Sequence, residues 1–429
     1  MSKLNIIFNG KEYTIDDRAL ASATEDLKTH LSSVMNGSGA TINLGGVAYS
    51  VDSTKLSTAT NNFVSHLGKI AGDGAKVVVG GVEYGVDSNK VANAISAVES
   101  ALVEASKPQA SAGLAFTSNG DGTCKVTGIG TCTDTNVVIP STSPDGDSVI
   151  SIGDRAFKNC TGLTSIEIPD SVTSIGKLTF FNCTGLTSVV IGNGVTSIGE
   201  QAFNGCSGLT SIVIPDSVTS IDSHTFYYCT GLTSVVIGNS VTSIGNYTFI
   251  GCTNLTSIVI GDSVTYIGKN AFYNCTGLTE IVIPDSVTSI DSSAFSNCTG
   301  LTSVVIGDSV TAIGDSAFGS CRGLTSIEIP DSVTSIGNSA FDDCTHLTSV
   351  VIGNGVTSIG EKAFRNCYRL TSVVIGKGVK SIGYAAFGDC SALTDIYYVG
   401  TSTQWNAIKK TSDWDENSYY YDVHFESAM

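Results

Sequence analysis

Eleven cysteines in this chain stand 23 residues apart, from Cys160, Cys183 and Cys206 through to Cys367 and Cys390, and Leu163 to Leu393 keep the same step three positions later. A fixed period of about 20 to 29 residues means that one short unit is built repeatedly and stacked on itself. The frame reads Leu-Thr-Ser-Ile-Val-Ile-Pro-Asp-Ser-Val-Thr-Ser-Ile-Gly-x-x-Ala-Phe-x-x-Cys-Thr-Gly. Such a frame excludes most folds at once.

Within the unit Leu209 to Gly231, Leu209, Ile212 and Ile214 alternate as the inward residues of a short strand, and a second short strand is expected to carry Val218 and Ile221. Pro215-Asp216, or Gly-Asn in sister units, turns the chain between them. Thr225-Phe226 then opens a tight helical or 3₁₀ turn that ends at Cys229. No unit can hide its Leu, Ile, Val and Phe side chains alone, so neighbours share one core. At about 4.8 Å per unit the stack forms a rod roughly 50 Å long, with two ends that need caps. A degenerate unit from Val137 to Phe157, with an insertion at Ser141 to Asp147 and a hairpin around Asn119-Gly120-Asp121-Gly122, supplies one cap over residues 114–159. Residues 394–429, which hold both tryptophans, Trp405 and Trp414, supply the other around the solenoid of 160–393.

The frame, with the tail Tyr-Tyr-Val-Gly-Thr-Ser-Thr-Gln-Trp-Asn-Ala-Ile from Tyr397 to Ile408, resembles BspA-type leucine-rich-repeat proteins and their C-terminal cap over about residues 114–425. The resemblance implies a curved, mostly β solenoid with roles in surface adhesion and protein binding, in bacteria and some parasitic protists. It names no ligand. The expected fold class is therefore a mostly β leucine-rich-repeat solenoid, preceded by a small α+β module.

That module occupies residues 1–106. Ile6 to Asp16 recurs as Ile42 to Asp52 and as Val77 to Asp87. Each copy reads as two strands about an Asn-Gly or Gly-Gly turn, followed by a helix that Asp16, Asp52 or Asp87 caps. Apolar stripes such as Leu20, Leu27, Leu31 and Val34 mark the helices. Three tandem ββα units then lead into a linker at 107–113. The module is expected to dock the solenoid to a larger assembly or to copies of itself; a passive spacer is the alternative.

Composition narrows the partners. With 22 Lys+Arg against 39 Asp+Glu, the formal charge of −17 argues against nucleic acid and anionic membranes. The opening residues do not read as a signal peptide, and no stretch has the length of a membrane helix. Location is expected at a virion or cell surface by assembly, otherwise in the cytoplasm. Parallel thiols in register point the same way, so the ladder cysteines read as small buried hydrophobes rather than disulfides. Cys124 and Cys132 flank a tight loop, where a bridge stays open. The five histidines are scattered and no Cys-x₂-Cys pair exists, so no metal or other cofactor is expected. Serines and aspartates recur by turn chemistry rather than as a singular constellation, so the chain is read as no enzyme. The Asn-Cys-Thr sites at Asn159, Asn182, Asn274 and Asn297 read as turn residues.

Two outward registers remain. Between the inward isoleucines run Val190, Val213, Val236, Val259, Val282 and Val305, an apolar stripe on the sheet face that reads either as an interaction surface or as plain β propensity. After the frame phenylalanine come Phe181, Tyr227, Ile250 and Tyr273, with Tyr228, Tyr247 and Tyr266 close in register. Exposed aromatic rings make good binding anchors, so this second set is the expected partner site. A protein or cell-surface ligand is the expected partner. The two functional readings are docking to a particle such as a phage virion, with the solenoid recognising a host, and a bacterial cell-surface adhesin.

Overall fold

The computed structural model describes residues 109–418 and 420–425, together with the backbone of six short strands nearer the start. The chain divides into Met1–Gln109 and Ala110–Met429. In the first unit the six strands pair as antiparallel hairpins, Leu4–Phe8 with Lys11–Ile15, Ala40–Leu44 with Val47–Val51, and Lys76–Val79 with Val82–Gly85. Two residues separate the strands of each, Asn9-Gly10, Gly45-Gly46 and Gly80-Gly81, the dipeptides that favour tight hairpins. The helices expected after Asp16, Asp52 and Asp87 lie outside the described residues.

The second unit is the solenoid. One turn shows how its sequence closes: Ser211–Ile214 forms a long strand, Pro215-Asp216 a corner, Ser220–Ile221 a two-residue strand, and two tight turns lead to Cys229. Leu209, Ile212, Ile214, Val218, Ile221, Phe226 and Cys229 all point inward, each at most 2% exposed. Two expectations need correction. Val218 sits in the corner, where its N–H donates to the Pro215 carbonyl at 3.0 Å, and only Ser220–Ile221 is strand.

No 3₁₀ or helical segment forms before Cys229 either. Tyr227 N–H donates to the His224 carbonyl and Cys229 N–H to that of Phe226, both at 3.2 Å. Yet His224 at φ 60° and Tyr228 at φ 53° are left-handed, and a left-handed residue ends each turn before a helix can propagate. The one helix among the described residues is Ser402–Ala407 in the C-terminal cap, with Thr401 and Gln404 forming a capping box.

Neighbouring turns share a continuous core. Phe157 to Phe387 stack face to face in ten steps of 5.0–5.3 Å, a column roughly 50 Å long as strand spacing requires. Beside it, each cysteine from Cys183 to Cys390 donates its thiol to the carbonyl of the phenylalanine 26 residues earlier, at 3.0–3.4 Å. The small thiol thus fills the core and also meets a carbonyl that an alanine would leave unpaired. Burial pushes the Cys183, Cys252 and Cys298 thiols up to about 12. All the cysteines are free; the thiol of Cys124 points to the Asp147 carbonyl instead of pairing with Cys132.

The short strands form one unbroken sheet of fourteen, from the antiparallel hairpin Ala115–Ser118 and Thr123–Gly128 to Lys409–Lys410. That hairpin closes the first end. At the other, Trp414 meets the edge of Phe387 at 5.9 Å, and Trp405 packs on Tyr398 at 5.4 Å with the Lys410 ammonium 4.1 Å from its ring centre. Large rings cover the last apolar rung.

Candidate protein-binding surfaces

Each turn exposes three faces: the long strands, the two-residue strands, and the loops between the second strand and the cysteine. The loop face is held by backbone bonds in which one turn donates to the next. His224, Phe226 and Tyr228 donate to Asn246, Thr248 and Ile250, and Gly251 donates to Tyr273, all at 2.8–3.0 Å. Loop side chains in one register therefore stack like rungs.

Five of the seven residues singled out by sequence come together here. The rings of Tyr227 and Tyr228 meet at 4.6 Å, His224 lies 5.4 Å from Tyr227 and 4.8 Å from Tyr247, and Ile250 and Tyr273 continue the Tyr227 register on the next two turns. Tyr228 is 49% and Tyr273 37% exposed, whereas Tyr227, Tyr247 and Ile250 are half-buried. Such an island has rigid rings already packed on one another, so little side-chain entropy remains to be lost on binding. Phe181 stands apart, separated from Tyr227 by the turn of Asn204, and carries the Lys158 ammonium 5.2 Å from its ring centre. Tyr266 lies on the two-residue strand Tyr266–Ile267, where its hydroxyl is committed to Asp291.

Tyr228 occupies a backbone position its residue type does not favour. The equivalent left-handed site holds Asn159, Asn182, Asn274, Asn297 and Asn366, Gly205 and Gly251, or Ser320, Asp343 and Asp389. Asn and Gly enter that region readily, while a bulky ring there costs about 1 kcal/mol or more. The next turn accommodates the ring: at Gly251 a Cβ would lie 3.0 Å from two Tyr228 ring carbons. Sequence reading placed Tyr228 near the site without this reason; the signal was the break in the Asn-Cys-Thr pattern. The Nδ1 of neighbouring His224 is buried without a hydrogen-bond partner. Left-handed residues recur along the whole loop face, Leu178 and Lys362 among them, but at the register of Tyr228 no other turn carries an aromatic ring.

The long-strand face carries the valine stripe. Val190, Val213, Val259, Val282 and Val305 are more than half exposed, and Val236 is 37% exposed. Its ladder is interrupted three times, between Ser188–Ile191 and Ser211–Ile214, between Ser257–Val259 and Glu280–Ile283, and between Ser303–Ile306 and Ser326–Ile329. Each gap falls where a proline comes directly after the following strand: Pro215, Pro284 or Pro330. In the uninterrupted part Gly353, Gly376 and Val399 donate their N–H to Ile329, Ile352 and Ile375 at 2.9 Å, a bond proline cannot make. Strands before the gaps are looser accordingly: Ile258 is half-buried, whereas its counterparts Ile212 and Ile281 are 2% exposed. At Pro169 pairing survives but stops at Glu167. Shallow grooves lie over the Pro215 and Pro330 steps.

Among the described residues, no group of three or more His, Cys, Asp and Glu side chains is placed to hold a metal ion, and no helix is long and apolar enough to cross a membrane. The family model for the BspA type leucine rich repeat region matches residues 150–279 and 265–394, in six copies. Among solved structures, a leucine-rich repeat protein from Bacteroides ovatus is 27% identical, with TM-score 0.57, over 74% of this chain and 91% of that one. A leucine rich cell surface protein from Faecalibacterium prausnitzii is 34% identical, with TM-score 0.38, over 71% of this chain and 99% of its own. A comparison with curated proteins finds no match.

Proposed function

The chain belongs to the BspA-type leucine-rich-repeat family, and from that membership we propose that it is a non-catalytic scaffold that binds a protein or cell-surface ligand through the aromatic island on its loop face. The observation that carries this reading is Tyr228, an exposed ring held in a left-handed position that its sister turns give to Asn, Gly or small polar residues. Display at a cell surface is the reading that the Faecalibacterium prausnitzii relative supports, since that protein is described as a cell surface protein. Residues 1–106 are assigned the docking role, whether onto a cell envelope or onto a particle such as a virion.

The test uses the labelled full-length chain, applied to cultured cells and to immobilised matrix proteins. Combined Tyr227→Ala, Tyr228→Ala and Tyr273→Ala should lower saturable binding by about tenfold or more, as truncating a cluster of aromatic anchors does. Far-ultraviolet circular dichroism should stay unchanged. Undiminished binding by that variant would remove the island from the function.

A further inference from the structure

We propose that the long-strand face is a second docking surface, for a cationic amphipathic helix of a partner protein lying lengthwise along the rod. The inference rests on the scaffold reading but uses a face separate from the aromatic island. Its first ground is charge. The seven long strands and their corners from 210–217 to 348–355 carry no Lys, Arg or His. They carry Glu280 and Glu328 on strands, and a corner register in which Asp262, Asp285, Asp308 and Asp331 follow one another. Basic residues of the same turns, such as Lys269, Arg322, Lys362 and Arg365, stand on the loops.

Two of those corner carboxylates, Asp285 and Asp331, are fixed in place, and none of the four is neutralised by an ion pair among the described residues. Asp285 Oδ1 accepts the Asp308 N–H at 2.9 Å, and Asp331 Oδ1 accepts that of Asn354 at 2.5 Å. A row of like charges spaced by about one rung is self-repelling, and a cationic partner relieves it. Between this row and the threonines runs the valine stripe. At the Pro215 step Val190, Val213 and Val236 form the floor of a groove rimmed by Asp216; at the Pro330 step Val351 lies beside Glu328 and Asp331.

Spacing decides the partner's conformation. Hydrogen-bonded strands repeat every ~4.8 Å, and the buried phenylalanine rings beside them every 5.0–5.3 Å. An α-helix rises about 5.4 Å per turn, so one apolar residue per turn drifts by only about 0.6 Å or less per rung. Same-side residues of an extended strand recur every ~6.7 Å and lose register by the third rung. The four-residue strands, about 13 Å long, also match the width of one helix, about 10–12 Å. A second copy of this chain is disfavoured by its own formal charge of −17.

The experiment titrates the full-length chain into a fluorescent peptide of about 20 residues, long enough for several helical turns, with leucine on one helical face and lysine elsewhere. A scrambled peptide of the same composition serves as control. Expected is saturable binding that favours the patterned peptide, weakens with salt, and falls about tenfold in two separate variants. One combines Val213→Thr, Val236→Thr and Val282→Thr, which keeps side-chain shape. The other combines Asp262→Asn, Asp285→Asn and Asp308→Asn. Equal affinity for the scrambled peptide, or no change in either variant, overturns the proposal. Loss on Tyr228→Ala instead would move the site to the loop face and also overturn it. Cell binding is scored in parallel: if the aromatic variant keeps it while the peptide still discriminates, only the loop-face reading falls.

Discussion

Replacing Phe295 with alanine tests whether the turns share one core. The ring is fully buried and stacks at 5.1 Å on Phe272 and 5.2 Å on Phe318. A buried phenylalanine takes on the order of 150–250 Å² out of water, about 4–6 kcal/mol at ~25 cal/mol per Å². Alanine keeps part of that contact, and Phe→Ala changes in cores cost about 3–5 kcal/mol. Two stacked neighbours contribute about 0.5–1.5 kcal/mol each beyond area. Phe157 has one stacked neighbour, Phe180 at 5.3 Å, so its replacement should cost about 1 kcal/mol less. We expect about 4 kcal/mol for Phe295→Ala in urea denaturation of the full chain. Because repeat arrays can unfold in segments, amide exchange should be read alongside, and it should quicken in the turns on both sides of residue 295. A cost below about 1 kcal/mol, or faster exchange confined to one turn, would refute the shared core.

Other consequences are equally direct. Tyr228→Asn places a residue tolerant of left-handed geometry where the ring now sits, so the relieved strain of about 1 kcal/mol offsets part of the lost ring packing; a thermal midpoint falling by more than about 8 °C would contradict that account. Iodoacetamide on the folded chain should label only Cys132 and Cys160, the two half-buried cysteines, and peptide mapping that finds adducts at Cys275 or Cys298 would show the core to be open. The Thr394 hydroxyl, then His424, hold the Asp395 carboxyl below its ordinary value. A carboxyl depressed on folding stabilises above its unfolded pKa, and that contribution is lost as pH falls through the folded value. Asp395→Asn should therefore flatten the thermal stability profile below about pH 4, and an unchanged acid limb would show the pair to be inert.

Much of the solenoid is legible in the sequence. Leu209, Ile212, Ile214, Phe226 and Cys229 read as inward because a unit of this size cannot hide them alone, and all five are buried. Less of the site was legible. Register told which face a side chain shares, so Tyr227, Ile250 and Tyr273 fell on one line, yet it could not say that Asn204 isolates Phe181 or that Tyr266 turns towards Asp291. The helical turn before Cys229 failed because propensity says little about a segment whose N–H groups are satisfied by the next turn.

The sequence by itself determined the rung, because period and inward apolar set leave one way to bury them. Only the tertiary structure decided which outward residues become neighbours and where the long-strand ladder opens. Neighbour relations depend on how each loop bonds to the next, and the ladder opens where Pro215, Pro284 and Pro330 meet a carbonyl with no N–H to give.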